Sequence, residues 1–208
     1  MRDIFPFCGE MSRFMLSGCF MFGKKGTYGY IRRGRVLLAF LTFGLLALVL
    51  FVYFGAQWYF KTNKNIFTIL AALTWIGVGK FAVDLIMFMR AGYCSESARE
   101  IIAPHVGKLT EGYDLFMTSY DKNFALSHAV CAAKSVCAYT EDSKCDVKAG
   151  EMHIRTMLEN DGFKGYTVKI FRNPDKYIER LDELNQIEGG KEKKSTKAVM
   201  DLLESISL

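Results

Sequence analysis

Three polar positions offer this chain its best arrangement for metal-assisted chemistry. Asp121 sits between two apolar runs, and the triplet Asp142-Ser143-Lys144 closes a third. In an antiparallel meander the start of one strand lies beside the end of the next, so Asp121 and Asp142 are expected to share a sheet edge. A second arrangement is His128 with Cys131 or Cys137, as base and nucleophile or as zinc ligands. Along one strand, however, His128 and Cys131 point to opposite faces, and no acid is evident to orient the imidazole. The six cysteines contain no CxxC pair, so a zinc site is not expected, and outside the carboxylate arrangement no metal and no cofactor is expected. The third arrangement is Lys80 with Asp84, one helical turn apart inside an apolar run, a spacing that lets the two charges pair.

The elements that must position these residues divide the chain in two. Leu37 to Phe60 runs for 24 positions without a charge, and Ile66 to Met89 is apolar apart from Lys80 and Asp84. A hydrocarbon core of about 30 Å takes roughly 20 helical residues, so each run is expected to span a bilayer, with lipid as its partner. The five residues between them force an antiparallel hairpin. Arg2, Arg13, Lys24, Lys25, Arg32, Arg33 and Arg35 precede the first run, whereas the connection holds only Lys61 and Lys64. The positive-inside rule then puts both termini in the cytoplasm of a cell whose plasma membrane the hairpin crosses. Lys80 lies about 15 Å along the helix from Arg90, near mid-membrane, where a charge is costly. It therefore marks a contact with another helix, through self-association or a partner membrane protein, or else a local pair with Asp84. Residues 1–36 form a basic N-terminal segment. Leu16-Ser-Gly-Cys19 within it matches a lipoprotein cleavage box, but Glu10 and Arg13 interrupt the apolar core such a signal needs, and translation from Met21 is the plainer expectation.

Beyond Arg90 the spacing predicts an α/β domain over residues 95–187. Ser97 with Glu100 fits a capping box for a helix from Glu96 to Thr110, bent by Pro104. Strands are expected over 113–120, 123–132 and 135–140, a helix over 148–160 stopped by Gly162, a strand over 166–171, and a helix over 175–186 opened by Pro174. The predicted fold is thus a transmembrane hairpin followed by a small α+β domain, α-β-β-β-α-β-α with a mixed sheet. A linker and an amphipathic C-terminal helix occupy residues 188–208, with Val199, Leu202, Leu203 and Ile206 on the face that docks on the domain's own core.

This order of elements resembles the core of the restriction-endonuclease-like superfamily, over about 75 residues. The resemblance implies a metal held by an acid on one strand and a D/E-x-K triplet on the next, here Asp121, Asp142 and Lys144, with Glu100 a candidate third ligand and the metal and Lys144 activating water for attack on a phosphodiester. The chain departs from that family in lacking its proline-aspartate signature. Its charge also argues against nucleic acid as partner. From Arg90 onward it has seventeen Lys and Arg against nineteen Asp and Glu, and the basic excess belongs to the apolar half. The expected function is therefore a membrane-anchored α/β domain acting as a binding or regulatory module rather than an enzyme. The alternative is a membrane-tethered, metal-dependent hydrolase.

Overall fold

The computed structural model describes residues 23–61, 66–119, 122–187 and 193–208. Within them are six helices and a mixed four-stranded sheet: α1 (Tyr30–Phe60), α2 (Ile66–Arg90), α3 (Glu96–Val106), β1 (Thr110–Thr118), β2 (Asn123–Ala132), β3 (Ser135–Tyr139), α4 (Val147–Asn160), β4 (Thr167–Phe171), α5 (Pro174–Ile187) and α6 (Lys193–Ile206). The chain divides into two compact units. Among the described residues, one lies within 32–91 and the other joins residues 23–31 to those within 92–208.

The first unit is a pair of long apolar helices, each long and apolar enough to cross a membrane. Gly34 and Arg35 at the start of α1 meet Phe88 and Ala91 at the end of α2, and Val49 packs with Ala71 and Val78, so the two helices run antiparallel. Any side chain at Gly34 would collide with the Phe88 ring, and the glycine therefore lets the helices approach closely there. Arg35 binds the carbonyls of Phe88 and Ala91 at 2.9 and 2.6 Å, which satisfies two acceptors where α2 ends. The hydroxyls of Thr42 and Thr74 turn back onto the carbonyls four residues earlier. Only 17% and 11% of the most apolar windows are buried, because most large side chains point outward. A core helix of a water-soluble protein shows the reverse.

The second unit is a three-layer sandwich. The sheet runs in the order β1-β2-β3-β4, antiparallel except for the parallel β3–β4 pair. Helices α4 and α6 cover one face, through Ile154, Leu158, Val199, Met200 and Leu203 packed on Leu115, Leu126, Cys131 and Val136. Helices α3 and α5 cover the other, through Ile102, Val106, Leu181 and Leu184 packed on Tyr113, Val130 and Tyr139. The β2–β3 turn is made by Ala133 and Lys134, both at positive φ, a two-residue turn whose twist matches the strands it joins. Parallel pairing of β3 and β4 needs a crossover, and α4 supplies it. Asn173 caps α5 through Asp175 N, with Pro174 at the first helical position, where a missing N–H costs nothing.

Two local expectations are corrected. The cap of α3 is Ser95, not Ser97: its Oγ accepts from Ala98 N, while the Glu141 carboxylate, arriving from the end of β3, takes Ser95 N and Oγ at 2.9 and 2.6 Å. Strand β1 starts at Thr110 rather than Tyr113, because Glu111 and Gly112 pair with Val130 and Ala129. Residues 62–65, 120–121 and 188–192 lie outside the described residues, as does the Cys19 box.

Candidate functional site

Strand β1 does not alternate evenly. Tyr113 belongs to the α3/α5 layer and Leu115 to the α4/α6 layer, and between them Asp114 sits at φ 55° with only 3% of its surface exposed. That left-handed residue rotates the strand and turns a carboxylate inward. Asp114 then collects backbone donors: Cys94 N at 2.7 Å, Gly29 N at 2.8 Å, and the N–H groups of Tyr30 and Ile31 at the first turn of α1. Burial raises its pKa, and these four hydrogen bonds pull it back toward the ionised form. It is a carboxylate cap for a helix start, supplied from another strand.

On the other side of the twist lies a chain of polar groups. His128, fully buried on β2 opposite Tyr113, holds Tyr177 OH at Nδ1 (2.8 Å) and the Glu111 carboxylate at Nε2 (3.2 Å). Tyr113 also hydrogen-bonds Glu111, its ring 4.5 Å from the imidazole, and Tyr139 stacks on Tyr177. The His128 hydrogen bond, more than any other contact, holds Glu111 below the usual carboxylate range. An ionised carboxylate only accepts, so Nε2 carries the proton that faces Glu111. Tyr177, completely enclosed, has its pKa driven well above 10 by burial. The order hydroxyl, imidazole, carboxylate is that of a nucleophilic triad, but the hydroxyl end is sealed in the core. The open end is Glu111, whose side chain is 40% exposed, so the chain orients a carboxylate instead of activating an alcohol.

Glu111 opens into a cleft formed by two adjoining depressions of about 380 and 260 Å³, both bordered by Lys24, Glu111 and Glu204. Its walls come from the arm before α1, from α3, from the start of β1 and from α6. Lys24 meets Glu204 at 3.6 Å, and Lys25 Nζ donates to Ser207 O at 2.8 Å. Arg99 lies over the Tyr28 ring, 4.3 Å from its centroid, and Tyr28 stands edge-on to Tyr113. A separate open groove of about 510 Å³ runs between β4 and α5, with the Cys137 thiol at its floor. Burial raises that thiol's pKa, against the opposing pull of the neighbouring Arg180 guanidinium.

Asp142 and Lys144, expected at a metal centre, lie in the exposed turn after β3, where the Asp142 carboxylate accepts from Lys144 N at 2.8 Å. Asp121 lies outside the described residues, and Glu100 is exposed on α3. Among the described residues no group of three or more His, Cys, Asp or Glu side chains is placed to hold a metal ion. His128 and Cys131 do occupy opposite layers, and both imidazole nitrogens of His128 are engaged, by Tyr177 and Glu111. His105 links α3 to α5 through Asp182 at 3.0 Å. Lys80 is exposed on α2 and Asp84 half-buried. Sequence reasoning missed Glu111, Tyr113, Asp114 and Tyr177; the usable signal for the last was a single tyrosine on the apolar face of a predicted helix. Compared with protein-family models, curated proteins and solved structures, the chain matches none.

Proposed function

We propose that this chain is a membrane-anchored binding or regulatory module. Helices α1 and α2 cross the plasma membrane as an antiparallel hairpin, both termini lie in the cytoplasm, and the α/β domain presents the Glu111 cleft to a ligand there. One observation carries the reading: the contrast between the two units' surfaces. Among the described residues, 18 of the 22 exposed large hydrophobic side chains lie between Val36 and Met89, while the domain keeps its apolar side chains in two buried layers and shows a charged cleft. Apolar surface on that scale needs lipid or protein against it. The arginines at 32, 33 and 35, against two lysines in the connection, support the cytoplasmic placement of the termini.

The test uses a chain with Cys8 and Cys19 replaced by serine and one added cysteine, at Asn63 or at Ser143. Alkaline carbonate should leave the protein in the membrane pellet. An impermeant thiol reagent should label position 63 in sealed cells and position 143 only after permeabilisation. Release by carbonate removes the anchor, and labelling at 143 in sealed cells inverts the topology.

Within the membrane, the contact surface we propose is the face of α2 that carries Lys80 and Asp84. A side chain at Gly77 or Gly79 would meet nothing within 4 Å, so a second copy of the helix has room to approach beside Lys80. Lys80→Leu should then lower cross-linking between differently tagged copies in detergent; equal cross-linking in the variant removes this contact.

A further inference from the structure

We infer that the Glu111 cleft takes a small zwitterion of net negative charge, a primary amine joined by a short linker to a phosphate. This deepens the reading of the cleft as a binding site and rests on it. The amine end follows from Glu111. Its carboxylate is fixed by His128 Nε2–H and by Tyr113, and it still presents exposed acceptor capacity to the cleft. An ammonium, with three donors, matches a fixed acceptor-only group, and the ready-made orientation reduces the ordering cost of binding.

The anionic end follows from the rest of the lining. Lys24, Lys25, Arg99, Lys108 and Lys197 face Glu111, Asp201 and Glu204, and the Lys24–Glu204 pair is mutually neutralised. The remaining excess is positive, so the ligand carries more negative than positive charge. A phosphate monoester with one amine has that balance; an amino acid, neutral overall, does not. Arg99, held against the Tyr28 ring, is a preorganised guanidinium fork for phosphate oxygens. The 380 Å³ depression falls within the roughly 300–1,000 Å³ of small-ligand sites. A free aminoalkyl phosphate has that balance of charge; the headgroup of an ethanolamine phospholipid, a phosphodiester, is neutral overall and lacks it.

The experiment is calorimetric titration of the full chain in phosphatidylcholine nanodiscs with O-phosphoethanolamine, ethanolamine and inorganic phosphate in turn. The whole compound should bind at least about tenfold more tightly than either half, and Glu111→Gln should remove about that factor for O-phosphoethanolamine while leaving phosphate unchanged. Arg99→Gln should weaken both anions. Melting temperatures of the variants establish that they remain folded. Phosphate binding that Arg99→Gln abolishes, without preference for the amine, overturns the ligand and keeps the cleft as a binding site. Absence of binding by all three overturns both. In discs of phosphatidylethanolamine the free compound should bind unchanged, because that neutral headgroup lacks the second negative charge; loss of binding there overturns the net-charge argument.

Discussion

Tyr177 and Glu111 show how a buried hydroxyl and an open carboxylate depend on the same imidazole. Replacing Tyr177 by Phe leaves His128 Nδ1 enclosed without a partner, which costs about 1–3 kcal/mol. Urea denaturation should show that loss with an unchanged slope, since the packing of the ring is retained. Glu111→Gln acts through charge. Because the folded protein holds this carboxyl below its ordinary value of 4.5, its contribution is complete above about that pH and is lost as the pH falls through the lowered folded value. The melting-temperature gap between parent and Glu111→Gln should thus be constant near neutrality and narrow below pH 4.5; a gap that widens in acid contradicts the assignment. Neither residue stood out in the sequence. Glu111 precedes the expected start of its strand, and a surface glutamate reads like any other until a histidine 17 positions away closes on it. Asp114 falls on an alternating strand as an outward polar residue, and only its positive φ, enforced by donors on the distant segments at 29–31 and 94, turns it inward.

Helix α6 demonstrates where periodicity suffices. Its apolar residues repeat at helical spacing, and Val199, Met200 and Leu203 complete the core over β1 and β2, with Ser207 bridging to Met117 and Leu208 N bonded to Phe116 O. The tail therefore closes an edge of the sheet as well as a face, which keeps β1 from pairing with another chain. Leu203→Ala should cost about 2–5 kcal/mol, measured by chemical denaturation of the full chain. A change below about 0.5 kcal/mol would mean that the helix leaves the core to serve a partner. The β2–β3 hairpin and the two long helices were equally legible, because alternation and uninterrupted apolar length are local properties. The cap of α3 was not. Ser95 and Ser97 are alike in sequence, and the choice between them is made by Glu141, which arrives from 46 residues downstream.

For the molecule as a whole, the cysteines report which chemistry is closed off. Cys94, Cys131, Cys137 and Cys145 are all buried, and burial, reinforced by Glu141 and Asp114, pushes the Cys94 thiol up to about 12. In a chain with Cys8 and Cys19 replaced by serine and no cysteine added, Ellman's reagent at pH 8 should find no reactive thiol until denaturant is added, when all four of these cysteines react at once; earlier reaction of one alone would identify a local opening. The division into an apolar pair of helices and a mixed α/β sandwich was visible from charge and hydropathy. What composition did not reveal is that the sandwich is discontinuous: residues before α1 and residues after α2 belong to the same unit, and Asp114 gathers both. A ribosome makes these pieces at different times. The arm at 24–31 leaves the tunnel first, both apolar helices follow, and the carboxylate that secures the arm arrives only after them. The arm's backbone donors must wait through that interval, so the sandwich cannot be completed before both apolar helices have been made. Until the arm returns, the Tyr113 end of β1 lacks the Gly26 carbonyl that accepts from it, and the first strand keeps an edge open to another chain.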